Sequence, residues 1–485
     1  MRPSIRLLSD DFVRQIVAEA IDILCTLGVG VDHPQTLSVL SDHGAKVDIE
    51  RRHAAFTEDI IHEAIESAPS SIRLYDVEGN QTHNFSGHAV YFTPGSSALY
   101  VLDHLNKKMR APTTRDYIEY TKVVSQLGHI TSQSTAMIPS DVPAEISDSY
   151  RLFLSLLYCE KPVVTGAFSV ESFGVMKDLQ MAIRGTAESL RDRPLAVFSC
   201  CPTSPLHWNE VTCQNLVDYA HYSIPVEIVA MPLSGLVAPV TLTGTLIQHT
   251  AETLSGVVIS QLVNPGTPVL YGGSPAIFDV RFETTPMGAI ETMMIACAYN
   301  EIGKHLGLPT QAYISMSDAK QVDAQAGLET GMGAVLGALS GINSISGPGM
   351  IDFENCQSLE KLVLDNEVCG MALRLVEGIE PKEDFPARGI LQELFEQRHL
   401  LISDHTRRYM NEEIFFPGPV IDRASKTRWE QEGELTLEER AHRQVKQLLE
   451  SYEPPTLDEQ TRNDLTERME HEARRYGQQR LPTEH

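Results

Sequence analysis

The sequence predicts an α/β fold, a (β/α)8 TIM barrel with an N-terminal α+β cap and a C-terminal helical tail. Between residues 90 and 376, short apolar runs alternate with helical segments eight times, which matches the unit count of such a barrel. The apolar runs are hydrophobic on both faces, as expected of parallel strands covered by helices. A doubly wound sheet is the competing geometry. The count of eight and the lack of a glycine-rich turn after the first strand favour the barrel.

Each predicted unit pairs one short strand with one longer helix whose apolar residues recur every three or four positions. Ile247, Ala251, Leu254 and Val258 form one such stripe. The predicted strands are 90–93, 130–134, 162–167, 195–199, 226–229, 269–271, 310–314 and 344–346, and the predicted helices are 114–127, 145–158, 172–184, 209–222, 244–262, 287–303, 322–341 and 358–376.

Three domains follow from this division of the chain: a cap over 1–89, the barrel over 90–380 and a helical extension over 381–485. The cap begins with an amphipathic helix that Ser9 caps and Gly28 ends. The extension contains charged helices at about 436–451 and 457–476, separated by a Pro-Pro break. The last helix has few apolar residues, so we expect it to pack on a neighbour or a partner chain, or to fray.

Composition limits the classes of function. The chain has 485 residues and a formal net charge of −26, which argues against general affinity for nucleic acid or anionic membranes. Eight cysteines without a C-x-x-C pair are typical of a reduced compartment. The N-terminus lacks the apolar core of a secretory signal, and no run approaches the roughly 18 apolar residues that span a bilayer. We therefore expect a cytoplasmic protein.

The loops after the predicted strands, where barrel enzymes carry their reacting groups, are rich in Gly, Pro and Ser. They contain few ionisable side chains, which favours catalysis by positioning and electrostatics. The polar exceptions are Gln133, His207, Asp279, Arg281, Glu283, Asp318, Asp323, Asp352 and Glu354, and the aromatic residues among them are Tyr91, Phe92, Phe168, Trp208, Tyr271, Phe278, Phe282 and Tyr313.

Carboxylates beside aromatic faces suit a quaternary or protonated amine, through long-range charge and cation–π attraction. Structural alternatives stay open for several of these residues. The four aromatic residues on predicted strands could fill the barrel core. Arg281 could pair with Asp279 and Glu283 in a surface loop, and Asp323 could cap the helix that follows it.

Metal chemistry has weak support in the sequence. Cys200 and Cys201 end the fourth strand, where a thiolate pair with a further Cys or a His could bind Zn²⁺. No His-x-Cys accompanies them, so we expect no metal. His249 and Glu252 lie three apart on one helix, but they stand alone inside a barrel helix.

Several ordered motifs between residues 195 and 380 resemble the trimethylamine methyltransferase family, and the cap and the charged tail also resemble it. The motifs are Ser204-Pro205-Leu206, Met231-Pro232-Leu233, Ala238-Pro239-Val240-Thr241-Leu242, Gly244-Thr245-Leu246, Ser317-Asp318-Ala319-Lys320, Asp323-Ala324-Gln325-Ala326-Gly327 and Leu362-Val363-Leu364-Asp365-Asn366-Glu367.

The resemblance implies a barrel that moves a methyl group from an amine to the Co(I) corrinoid of a separate small protein. No cofactor would then be tightly bound, and the corrinoid protein would be the partner. Archaeal trimethylamine enzymes of the family carry pyrrolysine, whereas this chain has only standard residues. The resemblance therefore favours a quaternary amine, such as glycine betaine, proline betaine or carnitine, over trimethylamine. A homo-oligomer is also expected.

Strand-end position then predicts the site. Arg281, bidentately, and His207 are candidates to bind a betaine carboxylate. Asp279, Glu283 or Asp318 would balance the ammonium charge. The predicted substrate-binding set is Tyr91, Phe92, Gln133, Phe168, His207, Tyr271, Asp279, Arg281, Tyr313 and Asp318, and the predicted corrinoid-facing set is Gly272, Gly273, Ser274, Gly347, Pro348, Gly349 and Met350.

Two other classes of function remain open at this point. One is a barrel lyase or hydrolase that uses a strand-end carboxylate as base, or a zinc-thiolate methyltransferase. The other is a non-catalytic protein that binds a betaine without transferring its methyl group.

Overall fold

The structure, a computed structural model, describes residues 2–482. The N-terminal part combines helices with short strands. Ser9 caps the first helix by accepting a hydrogen bond from the Phe12 amide, and that helix buries its apolar stripe. The elements are α1 (Asp10–Thr26), β1 (Val29–Val31), α2 (Pro34–Asp42), β2 (Lys46–Asp48), β3 (His53–Ala55), α3 (Glu58–Ser67), β4 (Ile72–Tyr75) and β5 (Gln81–Phe85).

From residue 91 onward, strands and helices alternate as the sequence predicts. A short 3-10 helix at Ala144–Ile146 precedes the second long helix. The elements are β6 (Tyr91–Thr93), β7 (Tyr100–Asp103), β8 (Lys108–Arg110), α4 (Thr114–Ser125), β9 (Gln133–Ser134), α5 (Ser147–Tyr158), β10 (Val163–Thr165), α6 (Val170–Arg184), α7 (Ala187–Asp192), β11 (Ala196–Cys200), β12 (His207–Trp208), α8 (Glu210–His221), β13 (Val226–Ala230), β14 (Leu233–Ser234), α9 (Leu242–Val263), β15 (Val269–Gly273), β16 (Ala276–Ile277), α10 (Ile290–His305), β17 (Gln311–Tyr313), α11 (Ala324–Ser340), β18 (Ser344–Ser346), β19 (Met350–Ile351), β20 (Cys356–Gln357) and α12 (Leu359–Glu377).

Eight of these strands form the barrel, and all of their mutual pairings are parallel. One sheet has the order β15-β13-β11-β10-β9, and another has the order β17-β18-β6. The Tyr271 amide donates to the Pro309 carbonyl at 2.8 Å, and the Thr131 amide donates to the Phe92 carbonyl at 3.1 Å. These two hydrogen bonds join the edges of both sheets, so the predicted barrel is confirmed.

The two strands of the hairpin β4–β5 cover the N-terminal end of the barrel. Ile72, Leu74 and Phe85 of the hairpin are buried against Val164, Val197 and Leu270 of three barrel strands. This end is therefore filled with apolar side chains, which leaves the opposite end, where the strands terminate, for a site.

The cap also joins the barrel by main-chain pairing. Strand β1 runs parallel to β12, with Gly30 opposite His207 and Val31 opposite Trp208. Helices α1 and α3 pack on α9. The predicted domain boundaries remain predictions.

Residues beyond α12 form a helical extension that packs on the outside of the barrel. Helix α16 buries Ala441 and Val445 against α12 and α4, and α17 buries Leu465 and Met469 against α5 and α6. Residues 483–485 of the predicted extension lie outside the described residues. The helices are α13 (Arg388–Gln397), α14 (Asp404–Glu413), α15 (Lys426–Gln431), α16 (Leu437–Glu450) and α17 (Glu459–Arg475). Among residues 2–482, no helix combines the length and the apolar character that crossing a bilayer requires.

Candidate active site

A cavity of about 560 Å³ opens at the carboxyl-terminal ends of the barrel strands. Its walls combine small polar side chains with a few apolar ones, and its position is the one that active sites occupy in barrels of this type. It is lined by Ser96, Ser97, Thr135, Thr165, Gly166, Ala167, Phe168, Ser199, Cys200, Cys201, Asn209, Val211, Thr212, Asn215, Val229, Met231, Ser274, Tyr313 and Glu354.

Glu354 is the one carboxyl group in this lining of described residues. It ends three consecutive residues with left-handed backbone, Asp352, Phe353 and Glu354, at φ angles of 53°, 58° and 72°. Non-glycine residues in this region cost roughly 1 kcal/mol or more each, so surrounding contacts must hold the turn. One such contact is a 3.3 Å hydrogen bond from the Ser96 amide to Oε1 of Glu354. Burial, reinforced by Glu227, raises the pKa of Glu354 to about 8.

Glu227 lies beneath the cavity, on β13, and is fully buried. The Ser199 hydroxyl, which lines the cavity, donates a 2.6 Å hydrogen bond to Oε1 of Glu227. Oε2 of Glu227 has no hydrogen-bond partner within residues 2–482. Because burial penalises the charged form more than the Ser199 hydrogen bond favours it, the pKa of Glu227 rises to about 7.

Tyr313 ends β17 with its hydroxyl 3.0 Å from the Ser96 hydroxyl. Burial raises the pKa of Tyr313 well above its usual range, and the nearby Glu227 and Glu354 raise it further. The phenol therefore stays neutral and can donate or accept a hydrogen bond. Gln311, two residues earlier on the same face of the strand, accepts a 3.2 Å hydrogen bond from the Gly273 amide, and its Nε2 lacks a described partner.

Arg151 lies behind the cavity wall, and its guanidinium is hydrogen-bonded to neighbouring protein groups. Its guanidinium pairs with Asp148 at 2.9 Å and donates to the Thr135 carbonyl at 3.0 Å and the Ser97 hydroxyl at 3.2 Å. The side chain is fully buried, with the Phe168 ring centred 5.0 Å from it. Arg151 thus orders two lining residues while Asp148 balances its charge. The described lining itself contains no Lys, Arg or His.

Cys200 is buried and Cys201 is half-buried, and both thiols keep their protons. Cys200 contacts the Thr212 carbonyl at 3.3 Å. Burial raises the pKa of Cys201 to about 12 and that of Cys200 well above its usual range. A zinc-binding or nucleophilic cysteine instead needs an environment that favours the thiolate. Within residues 2–482, the one convergent set of three His, Cys, Asp or Glu ligand atoms is His104, Glu360 and His442, away from this cavity.

Comparison with known proteins places the chain in a family. A family model described as trimethylamine methyltransferase matches residues 1–477. The chain belongs to the trimethylamine methyltransferase family. The match covers cap, barrel and most of the extension, and it confirms the family that the sequence motifs indicate.

Three curated proteins are similar to this chain along nearly their whole length. A trimethylamine methyltransferase of Desulfitobacterium hafniense is 27% identical, covering 97% of this chain and 94% of its own. A glycine betaine methyltransferase of the same species is 28% identical, covering 94% and 95%. A trimethylamine methyltransferase of Methanosarcina thermophila is 29% identical, covering 95% and 96%.

Solved structures share the fold. The hydroxylamine complex of a monomethylamine methyltransferase has a TM-score of 0.53 at 12% identity, covering 91% of this chain and 88% of its own. The Methanosarcina barkeri monomethylamine methyltransferase has a TM-score of 0.51 at 13% identity, covering 77% and 79%.

The structure brings three of the predicted residues of this family member to the cavity: Tyr313, Phe168 and Ser274. Phe168 is 58% exposed at the mouth. Their roles in binding stay predictions.

Four predicted residues on barrel strands lie elsewhere. Three of them, Phe92, Tyr271 and Gln133, face the surrounding helices, because successive side chains of a strand point to opposite faces. Phe92 points into the core between strands and helices, and the Tyr271 hydroxyl donates to Thr250 of α9 at 3.0 Å. Gln133 donates to carbonyls around the end of α5, including that of Lys161 at 2.9 Å. Tyr91 packs on Phe85 and His83 of the hairpin, at the far end of the barrel.

The predicted ionisable residues outside the eight barrel strands also have other partners. His207 lies 2.9 Å from Asp32 of the cap, and Arg281 is an exposed side chain paired with Asp279 at 2.6 Å. The pairing within the loop is the structural alternative that the sequence leaves open. The Asp318 carboxylate accepts hydrogen bonds from the Met287 and Gly288 amides, at 2.8 and 2.9 Å, and so holds the loop before α10.

Most of the predicted corrinoid-facing residues are buried. Gly272, Gly273, Gly347, Pro348, Gly349 and Met350 have little solvent exposure, and Ser274 alone of this set lines the cavity. Gly272 is a close-approach position, since a Cβ there would lie 2.6 Å from the Gln311 amide oxygen. Glycine at this position therefore allows tight packing. That these residues face a corrinoid stays a prediction.

Two residues of the site are absent from the predicted set. Glu227 is a lone carboxylate within the apolar strand Val226–Ala230, and this contrast is the signal that could have found it. The sequence places Glu354 after a predicted strand, but its position in the cavity wall depends on the left-handed turn, which the sequence does not reveal.

Proposed function

We propose that the protein is a corrinoid-dependent methyltransferase that takes a methyl group from a quaternary amine bound in this cavity. The observation that carries the proposal is the charge of the site: Glu354 on the wall and Glu227 beneath it, with no cationic side chain in the described lining. An ammonium ion supplies the positive charge that would let both carboxyl groups ionise.

A quaternary ammonium ion suits a site with few proton donors. When the bond between the methyl carbon and nitrogen breaks, its electron pair stays on nitrogen and gives a neutral tertiary amine, so no leaving-group proton is required. This chemistry also agrees with a chain built only of standard residues. The relatives named for trimethylamine and for glycine betaine support methylated amines as the substrate class.

The residues of the cavity bind and orient the cation rather than take part in covalent chemistry. Glu354 and Glu227 attract it, but its charge is lost in the transition state, so this attraction strengthens binding more than it lowers the barrier. Phe168, Val229 and Met231 exclude water from the methyl groups. Tyr313 and Ser96 fix the polar edge of the wall, so that one methyl group faces the mouth.

A corrinoid carried by a partner protein would supply the nucleophile that accepts the methyl group. Access of the corrinoid to the bound amine requires that the mouth of the cavity be open and apolar. Phe168 is 58% exposed, Met231 41% and Val240 75%, and all three lie in loops that follow barrel strands at this end. Apolar surface of this kind is typical of a docking face. The homo-oligomer and the cytoplasmic location remain predictions.

The test incubates the protein with Co(I) cobalamin or a Co(I) corrinoid protein and a panel of quaternary amines, and follows the Co(I) absorbance. Loss of the Co(I) signal with a quaternary amine, together with release of an equal amount of tertiary amine, supports the proposal. Tight amine binding without any loss of Co(I), with the corrinoid protein present, would instead indicate a non-catalytic binder.

One alternative has a specific observation in its favour. Glu227 and Glu354 have pKa values of about 7 and 8, which suit a general base at neutral pH. A lyase or hydrolase that uses one of them would act on its substrate without Co(I). The same incubation without corrinoid, analysed for substrate loss, separates this function from methyl transfer.

A further inference from the structure

We infer that His104, Glu360 and His442 form a zinc-binding site that joins the C-terminal extension to the barrel. His104 lies in the loop between β7 and β8, Glu360 in the first turn of α12, and His442 on α16 of the extension. Their three ligand atoms lie within 4.8 Å of one another. The sequence predicts no metal, since these residues are far apart along the chain and form no motif. The site lies outside the cavity, so the inference is independent of methyl transfer.

The spacing of the three ligand atoms suits Zn²⁺. Oε1 of Glu360 lies 2.8 Å from Nδ1 of His442 and 3.6 Å from Nδ1 of His104. Two atoms that bind one tetrahedral Zn²⁺ at 2.0–2.1 Å are separated by about 3.3 Å. The two observed separations lie on either side of that value. Imidazole and carboxylate are both common zinc ligands, whereas Mg²⁺ prefers a shell of oxygen atoms.

Nδ1 of His104 lacks a partner that a bound ion would supply. The atom is buried and has no hydrogen-bond partner within residues 2–482. It lies 3.6 Å from Oε1 of Glu360 and 3.6 Å from Oε1 of Glu438. Two carboxylate oxygens beside an unpaired ring nitrogen favour a cation between them. Glu438 is already paired with Lys107, so we treat it as a neighbour of the site rather than as a ligand.

Neighbouring groups hold the carboxylate and one of the histidines in place. The Ser358 hydroxyl, at the N-cap of α12, donates a 3.4 Å hydrogen bond to Oε2 of Glu360, which leaves Oε1 for the histidines. Glu360 is 5% exposed. Helix α16 packs on α12 through the buried Ala441 and Val445, and so presents His442 from a fixed backbone. Support of this kind orients ligands in metal sites.

Ion binding requires one movement within the site. The rings of His104 and His442 are stacked, with centroids 3.7 Å apart and planes inclined by 8°. A bound ion lies in the plane of each imidazole, so one ring must turn for both Nδ1 atoms to face the same ion. The two side chains are 19% and 22% exposed, which leaves room for this turn on the solvent side. Water would complete the tetrahedron at that edge.

A titration of the untagged full chain with Zn²⁺, after dialysis against a chelator, tests the inference. We expect one Zn²⁺ per chain with a Kd of about 10 μM or tighter. His442→Gln and His104→Gln should each weaken binding by about tenfold or more. His471→Gln, on an exposed position of α17, is the matched control and should bind like wild type.

Two results of this titration would overturn the inference. One is wild-type binding weaker than about 10 μM. The other is an equal effect of all three His→Gln substitutions, because the ions would then bind across the acidic surface rather than at this site. The two ligand variants lie on different elements, so misfolding of one leaves the other to decide.

Co²⁺ in place of Zn²⁺ identifies the ligands. A four-coordinate site of nitrogen and oxygen atoms gives visible absorption without the near-ultraviolet band of a Co²⁺–thiolate bond. A thiolate band would assign the ion to cysteines such as Cys201 and would contradict the inference.

Thermal unfolding tests the proposed link between extension and barrel. Excess Zn²⁺ should raise the unfolding midpoint of wild type by about 2 °C or more, because the unfolded chain does not hold the three ligands together. The midpoint of His442→Gln should not change. An unchanged midpoint in wild type would show that the ion does not join the two parts of the chain. Methyl transfer is measured separately, so failure here leaves the proposed function standing.

Discussion

The Ser199 hydroxyl donates a 2.6 Å hydrogen bond to Oε1 of Glu227, and the other carboxylate oxygen is buried without a described partner. This pair connects the surface of the cavity with a titratable group below it. The hydrogen bond favours the ionised carboxylate, and burial opposes it more strongly, so that the pKa of Glu227 lies at about 7. A cation in the cavity would shift this balance towards ionisation.

Replacing Ser199 tests this relationship. Ser199→Ala removes the hydrogen bond that lowers the pKa of Glu227, so the pH at which amine binding reaches half of its maximum should rise by up to about one unit. Ser199→Thr retains a hydroxyl and serves as the control. Amine affinity measured from pH 6 to 9 should show the displaced curve for Ser199→Ala. If the pH curves of wild type, Ser199→Ala and Ser199→Thr superimpose, Ser199 does not influence the pKa of the group that controls amine binding.

Amine affinity should rise with pH through the region of 7 to 8. The free protein has carboxyl pKa values of about 7 and 8 at Glu227 and Glu354, and a bound cation lowers both, so binding releases protons. Calorimetry in two buffers with different ionisation enthalpies measures the number released. The Glu227→Gln, Glu354→Gln double variant should release none from these groups. Proton uptake by the wild-type protein would contradict the account.

The same two groups predict how stability depends on pH in the absence of ligand. Their pKa values in the folded state lie above the usual 4.5 of an unfolded chain. Between these values the unfolded state has lost protons that the folded state keeps, so the free energy of unfolding falls as pH rises from about 5 to 8. Urea unfolding should show a weaker decline for the Glu227→Gln, Glu354→Gln double variant than for wild type. An identical decline would indicate that other groups cause it.

Lys361 and Asp365 form a fully buried ion pair, with Nζ and Oδ2 2.5 Å apart, and Oδ2 also accepts from the Gly349 amide. Lys361→Met leaves the Asp365 charge uncompensated and should lower the free energy of unfolding by about 3–5 kcal/mol. The double variant Lys361→Met, Asp365→Leu removes both charges, so its free energy of unfolding should fall by less than that of Lys361→Met. Urea denaturation checks this order. A single variant that is as stable as wild type would show that the pair adds nothing.

Arg281 tests where the substrate site lies. Its guanidinium is exposed and pairs with Asp279, so Arg281→Ala should change amine affinity and methyl transfer by less than about twofold. Glu354→Gln, measured beside it, should weaken binding of the cation by about tenfold or more. A tenfold loss of amine affinity in Arg281→Ala would instead indicate that Arg281 binds the substrate, as the sequence predicts.

The barrel could be predicted because the local sequence pattern of each strand and helix indicates its secondary structure. Apolar runs such as 269–271 and stripes such as that from Ile247 to Val258 are recognised without knowledge of distant residues. Helix α9, observed at Leu242–Val263, contains the predicted 244–262, and β18 matches its predicted bounds, Ser344–Ser346.

The site could be predicted only in part, because a shift of one residue moves a side chain to the other face of the barrel wall. Tyr313 faces the cavity, whereas Tyr271 faces α9. The strand sequence alone does not distinguish these two tyrosines. The position of Glu354 depends on three left-handed residues, and that of Arg281 on its pairing with Asp279. Such loop conformations are set by tertiary contacts that no local pattern encodes.

The most direct test of the central claim follows methyl transfer by wild type and by the Glu227→Gln, Glu354→Gln double variant, with a Co(I) corrinoid protein and a quaternary amine. The account predicts that wild type consumes Co(I) and amine in equal amounts, and that the double variant needs a much higher amine concentration for the same rate. Absence of transfer by wild type with every quaternary amine, or equal amine requirements in both proteins, would contradict it.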